Sequence, residues 1–185
     1  MKYFLCLLVL VCSTVQAENL SLADSGIKVN VLWPIYPGNR YRAAWRYALH
    51  SGDSYRTELN LGLGYTGEED RKTEGKFSEA HIILGVRQFF GSPFHGELNL
   101  NPGQSRLKNH VTRNEDYTST DLEVQAFLGY EWRLSKSFTL DLQAGAVQVV
   151  SKSNYWPVYE NENLAKVVEE EPIVPVGLVN ITYWF

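Results

Sequence analysis

Residues 55 to 65 read Tyr55-Arg56-Thr57-Glu58-Leu59-Asn60-Leu61-Gly62-Leu63-Gly64-Tyr65. The odd positions carry two tyrosines, a threonine and three leucines, and the even positions carry Arg, Glu, Asn and two glycines. A β-strand turns successive side chains to opposite faces, so this segment predicts a strand with one apolar face and one polar face. The polar face also mixes long charged side chains with residues that have no side chain at all.

The same period of two recurs along the chain. The apolar sets are Ile27, Val29, Val31, Trp33; Tyr41, Ala43, Trp45, Tyr47; the segment above; Ala80, Ile82, Leu84, Val86; and a short Leu98, Leu100. Then come Leu122, Val124, Ala126, Leu128, Tyr130, Trp132; Phe138, Leu140, Leu142, Ala144, Ala146; and Ile173, Pro175, Gly177, Val179, Ile181, Tyr183, Phe185. These sets predict eight strands, and no comparable stretch has the 3.6-residue period of an amphipathic helix. The connections alternate in character. His50 to Ser54, Gly91 to Gly96 and Leu134 to Ser137 are tight, whereas Gly67 to Lys76, Gly103 to Tyr117 and Ser151 to Glu171 are longer, polar and charged. Tyr36 to Asn39 is shorter than its place in that scheme predicts, although Pro37-Gly38-Asn39 suits a turn. Short and long ends on opposite sides predict an up-and-down antiparallel all-β barrel.

At 185 residues the chain fits one domain. Residues 1–17 read as a secretory signal peptide: Lys2 is the lone charge, Phe4 to Val11 are apolar, and Ala17 ends a stretch suited to cleavage. The barrel domain is then expected over 18–185. The apolar run is about half the ~20 residues of a spanning helix. Cys6 and Cys12 both fall in the signal, leaving no thiol in the mature chain for disulfides or thiolate metal sites. Val9-Leu10-Val11-Cys12 faintly resembles a bacterial lipobox, with Val11 where that motif takes Gly, Ala or Ser. The acidic net charge and the lack of a basic cluster argue against nucleic acid as a partner.

Alternation alone leaves open which face looks outward, since a soluble lipocalin-like barrel has its apolar face inside. Three features point to the inverted arrangement. Glycine recurs among opposite charges on the polar face, which suits the narrow interior of an eight-stranded barrel. Aromatics gather toward strand ends while aliphatics hold the middle, predicting two membrane-interface girdles: Trp33, Tyr41 and Tyr65 above, and Tyr47, Tyr55, Phe90, Phe94, Tyr130, Trp132, Phe138, Tyr183 and Phe185 below. The last strand alternates Val179, Ile181, Tyr183, Phe185. On this motif, with the signal, the loop asymmetry and the strand count, the mature chain resembles the small OmpA- and OmpX-like eight-stranded outer-membrane barrels. That resemblance implies a bacterial outer-membrane protein whose terminal strand, ending in Phe185, engages the barrel-assembly machinery. The physical requirement behind it is that hydrocarbon offers no hydrogen-bond partner, so the sheet must close. The expected surroundings are outer-membrane lipid and lipopolysaccharide, and the expected state is a monomer.

The chemistry to be expected lies in the lower interior. Arg46, Arg56, Arg87 and Arg133 fall at a depth similar to Glu58, Glu97, Glu131 and Asp141, predicting an interlocked network that plugs the lumen; the alternative is a gated narrow pore. An enzyme is not expected. Some outer-membrane barrels act on lipids, but none of the four histidines gives His-x-Ser, and His81, with Glu79 and Glu123 near it, reads as polar filling rather than as a general base. Glu68-Glu69-Asp70 and Glu169-Glu170-Glu171 lack the spacing of a dedicated cation loop. No cofactor or metal is expected. Arg106, Lys108 and Arg113 are candidates for lipid phosphates, and Tyr155 with Trp156 is the favoured surface-contact site.

Overall fold

A computed structural model describes residues 24–33, 40–51, 56–72, 74–91, 93–161, 164–167 and 172–185. The expected signal peptide, the Pro37-Gly38-Asn39 turn and Tyr55 lie outside them. The strands are β1 (Ser25–Asn30), β2 (Arg40–Ser51), β3 (Arg56–Arg71), β4 (Gly75–Phe89), β5 (Phe94–Lys108), β6 (Tyr117–Arg133), β7 (Phe138–Lys152), β8 (Pro157–Asn161), β9 (Leu164–Val167) and β10 (Val174–Trp184). Eight of them close a barrel in the order β1-β10-β7-β6-β5-β4-β3-β2, with every neighbour antiparallel, and β8 and β9 form a separate hairpin. Ile27 closes the ring, standing opposite Tyr183 of β10 on one side and Trp45 of β2 on the other. Each of the eight strands pairs with a neighbour on both sides, which is how a barrel avoids the open edges of a flat sheet.

The orientation is the decisive finding. Leu61, Leu84 and Leu128 are 52%, 45% and 71% exposed, whereas Arg46, Glu58 and Arg87 are 0% exposed. Odd positions on β3 and even positions on β4 and β5 turn outward, so Leu59 to Tyr65, Ile82 to Val86, Leu98 and Leu100 make one continuous apolar belt. Glycine permits the close approaches this inside requires. A Cβ on Gly64 would stand 2.0 Å from Nε2 of His81, whose ring lies across that position, and one on Gly145 would stand 2.0 Å from the Ala126 carbonyl.

Three strands are longer than the alternation predicts. β3 and β4 run on to Arg71 and back from Gly75, and β5 continues through Asn101-Pro102-Gly103 to Lys108, where a loop was expected. Beyond the belt the outward positions become polar, as at Gln104, Arg106, Lys108, Thr118 and Thr120, so the apolar signal for a strand stops although the hydrogen-bonded ladder does not. A bulge between Thr66 and Glu69 on β3, and one at Val150 on β7 opposite Leu122 and Glu123, mark the same transition. The predicted Ser151–Glu171 loop likewise contains the β8–β9 hairpin.

Candidate functional site: the interior charge network

The alternation that turns the leucines outward delivers charged side chains from β1 to β7 into the lower half of the barrel. Arg46 donates from Nε to Glu58 Oε2 at 2.8 Å, and from Nη1 to Glu131 Oε2 at 2.6 Å and Thr182 Oγ1 at 2.8 Å. Arg87 donates from Nε to Glu97 Oε2 at 2.8 Å, and its terminal nitrogens reach Asp141 Oδ2 at 2.7 Å and Glu131 Oε2 at 3.0 Å. Glu131 therefore bridges the two guanidinium groups. Arg56 meets the second oxygen of Glu58 at 2.5 Å. Seven of the eight residues expected in the network are brought together.

The eighth is replaced. Arg133 sits half-buried at the lower end of β6 and makes no ion pair with a described residue. Its place in the balance is taken by Lys28 of β1, whose Nζ lies 2.9 and 3.0 Å from the two oxygens of Glu97. The physical reason is position: Arg133 is the last residue of its strand, next to the rim, whereas Lys28 stands inside, between the outward Ile27 and Val29. Neutral groups fill the remaining valences. Gln143 Nε2 and Asn99 Nδ2 each donate to Glu97 at 2.9 Å, and Asn180 Nδ2 donates to Asp141 Oδ2 at 3.3 Å. A charge-assisted bond is about twice as strong as a neutral one, and each bond to a buried carboxylate offsets part of its desolvation penalty; Asp141 Oδ1 is buried without a hydrogen bond to a described residue.

Two residues below the network were not singled out by the alternation. Trp184 is buried, donates from Nε1 to Thr139 Oγ1 at 3.2 Å, and has the guanidinium carbons of Arg46 and Arg56 each 4.5 Å from its ring centroid. Its even number, between outward Tyr183 and Phe185, is the signal that it faces in. His95, also buried, packs on Phe89 with ring centroids 5.1 Å apart and places Nε2 3.3 Å from Asp141 Oδ1. It was hidden in a segment read as a turn, because β5 begins at Phe94.

The girdle aromatics divide. Tyr41, Tyr47, Tyr65, Tyr183 and Phe185 are exposed on the outer face. Tyr130 and Trp132 are outward and half-buried by one another, 4.4 Å between centroids, with Phe94 set edge-on to Tyr130 at 4.8 Å. Trp33 departs from the expectation. It lies in a turn after β1, half-buried, donating from Nε1 to the Gly177 carbonyl at 3.2 Å with Arg40 and Arg42 within 6 Å of its ring (5.9 and 5.8 Å).

The expected surface contact is also corrected. Trp156 is buried at the upper mouth against Phe77 and Leu107, with Tyr117 packed alongside. Its Nε1 donates to Glu74 Oε2 at 2.6 Å and Lys152 Nζ stands 3.7 Å from its ring centroid. Tyr155 is half-buried, 5.8 Å from the same ammonium. The chain after β7 folds back over the barrel, so the indole becomes a lid rather than a contact surface. His110 ties this lid to the β5–β6 connection: Nε2 donates to the Pro157 carbonyl at 2.8 Å, and Nδ1 accepts from the Arg113 amide at 3.3 Å.

His81 stands 3.9 Å from Glu79 Oε1, and neither ring nitrogen hydrogen-bonds to a described residue. Among the described residues no nucleophile is hydrogen-bonded to it. Among the described residues no group of three His, Cys, Asp or Glu side chains is arranged to hold a metal ion. Comparisons with protein-family models, with curated proteins and with solved structures return no match.

Proposed function

We propose that this chain is an integral protein of a bacterial outer membrane, exported by its amino-terminal signal, with a lumen plugged by the Arg46–Glu131–Arg87 network and a structural or surface-interaction role. The observation that carries the reading is the inversion of polarity along the barrel. Through the belt, apolar side chains look out and charges look in; above it, Gln104, Arg106 and Lys108 look out while Phe77, Leu107 and Trp156 are buried. In water the lower arrangement would leave a large contiguous apolar surface solvated while burying charges, which no soluble barrel gains by. Against hydrocarbon it is the favourable arrangement, and the upper one is what a barrel standing in water requires. The strands of β3 to β7, 15 to 17 residues each, exceed the ~9–11 needed to cross a bilayer, which leaves length for that upper part.

A closed eight-stranded up-and-down barrel is what the resemblance to small OmpA- and OmpX-like barrels implies, and on that reading the role is in envelope integrity, adhesion or receptor use rather than a specific activity. Gel mobility before and after boiling, combined with fractionation, tests the proposal. The protein is expected in detergent-extracted outer membranes, migrating differently until heated. Release by osmotic shock without detergent would refute it.

A further inference from the structure

The outside of the barrel carries a cationic patch that the interior network does not use. Along β5 the outward positions run Leu98, Leu100, Pro102, Gln104, Arg106, Lys108, passing from apolar to basic within one strand. On the adjoining strand Lys76 stands directly opposite Lys108, and Ser78 opposite Arg106. All three basic side chains are exposed. Like charges directly across a sheet repel and destabilise the pair unless an anion answers them. Lys76 reaches Glu68 at 3.1 Å, in a half-exposed pair of small worth, and on its other side stands opposite exposed Asp70 of β3, so Arg106 and Lys108 carry most of the patch's net charge.

Arg106 is held in a telling way. Its Nε and Nη2 both donate to Gln104 Oε1, at 3.1 and 2.9 Å. Gln104 is one outward step nearer the belt, so the guanidinium folds down the strand toward Pro102 instead of up toward the loops. An amide oxygen fixes the charge in place without neutralising it. Arg106 lies four residues beyond Pro102, about 13 Å along the strand at ~3.3 Å per residue, and less in height once the strand tilts. The downward fold returns its charged end to the headgroup layer, which adds roughly 5–8 Å on each side of the hydrocarbon.

We propose that Lys76, Arg106 and Lys108 form a docking site for the phosphate of an outer-leaflet lipid headgroup. The inference rests on the membrane reading above. Arg106 offers a planar fork to two phosphate oxygens, and the lysines act as point charges beside it. The occupant is a lipid rather than a free anion because the patch begins where the belt ends, so acyl chains of the same molecule lie against exposed Leu98, Leu100 and Ile82.

The test uses the full chain folded in neutral-detergent micelles, with retained lipid counted by native mass spectrometry. Phosphatidic acid is compared with diacylglycerol of the same acyl chains, and inorganic phosphate is added in a parallel series. Phosphatidic acid should be retained and diacylglycerol should not. Arg106→Gln should weaken retention about fivefold and Lys76→Gln/Arg106→Gln/Lys108→Gln on the order of 100-fold. Arg113, expected from the sequence to join them, lies instead on the β5–β6 connection past the end of β5, its amide bonded to His110 Nδ1, so Arg113→Gln should leave retention unchanged. Equal retention of the two lipids, or undiminished retention by the triple variant, overturns the site. Displacement of the lipid by inorganic phosphate overturns the lipid as occupant. Heat-dependent gel mobility reads folding separately: folded protein that retains the two lipids equally overturns the patch alone, and protein that never enters micelles in a heat-modifiable form overturns the membrane reading beneath it.

Discussion

Replacing Arg87 with methionine removes the one residue that holds three carboxylates at once. Its contacts are to Glu97 Oε2 at 2.8 and 2.6 Å, Asp141 Oδ2 at 2.7 Å and Glu131 Oε2 at 3.0 Å. The three acids are not left equally exposed to the loss. Glu97 keeps Lys28 at 2.9 Å and Glu131 keeps Arg46 at 2.6 Å, but Asp141 retains only the Asn180 amide at 3.3 Å, its other oxygen having no hydrogen bond to a described residue. Removing one partner of a buried pair costs about 3–5 kcal/mol, and the shared losses place Arg87→Met toward the upper end of that range. Arg87→Met/Asp141→Asn restores the balance, leaving Lys28, Arg46 and Arg56 to face Glu58, Glu97 and Glu131. The double variant should recover about 2 kcal/mol relative to the single, a coupling of the size seen for residues in contact. The assay is urea unfolding in phosphatidylcholine vesicles, followed by the folded and unfolded bands of unboiled samples and extrapolated linearly to zero urea. A single variant within about 0.5 kcal/mol of the parent would refute the network as a stabilising unit, and so would a double variant whose loss equals the sum of the two singles.

Other perturbations probe the remaining layers. Leu61→Arg places a charge in the middle of the belt and should cost ~2–4 kcal/mol in the same vesicle assay, whereas Thr118→Arg, outward but above the belt, should cost little; equal effects would contradict the depth assignment. Trp184→Leu deletes a ring stacked by two guanidinium groups and should cost about 3 kcal/mol or more, read by the same unfolding curves. Trp156→Ala should leave insertion and heat-dependent mobility intact while exposing residues 153–158 to added protease; uncut protein would argue against the lid. In planar bilayers the parent should show no steady conductance, and steady openings whose size changes in Arg46→Ala would replace the plug with a pore.

How much of this was legible depends on what each residue faces. The belt could be read because outward apolar side chains recur at every second position with few exceptions across β3, β4 and β6, the pattern that the proposed lipid surroundings would demand. Most of the interior network followed as the complement of that pattern. Lys28 was visible by the same parity, between Ile27 and Val29, yet a strand of six residues offers a weak pattern on its polar side. Trp184 was obscured by its aromatic neighbours, which face the other way. His95 was lost because Gly91 and Gly96 bracket it, although only the Gly91 end, at φ 103°, belongs to the turn. Trp156 misled for a tertiary reason: nothing local says that the chain after β7 doubles back across the mouth.

The upper barrel shows why the alternation fell silent there while the fold continued. Phe77 has the same parity as His81 and Ile83, and Leu107 the same as Asn99 and Asn101, so β4 and β5 each carry one set of inward positions from bottom to top. On the membrane reading proposed above, what changes along that set is the solvent on the opposite side of the wall. Where the outside is hydrocarbon, apolar packing between the outward side chains yields little, because lipid is as apolar as leucine. Stability there must come from the closed ladder of backbone hydrogen bonds and from a lumen in which charges answer one another. Where the outside is water, burying Phe77, Leu107 and Trp156 is favourable again, at roughly 1.5–3 kcal/mol for each large side chain. A charged interior and an apolar cap are therefore one design read at two depths. Exchanging them would bury leucine against lipid for no gain below and strand unpaired charges under a wet rim above.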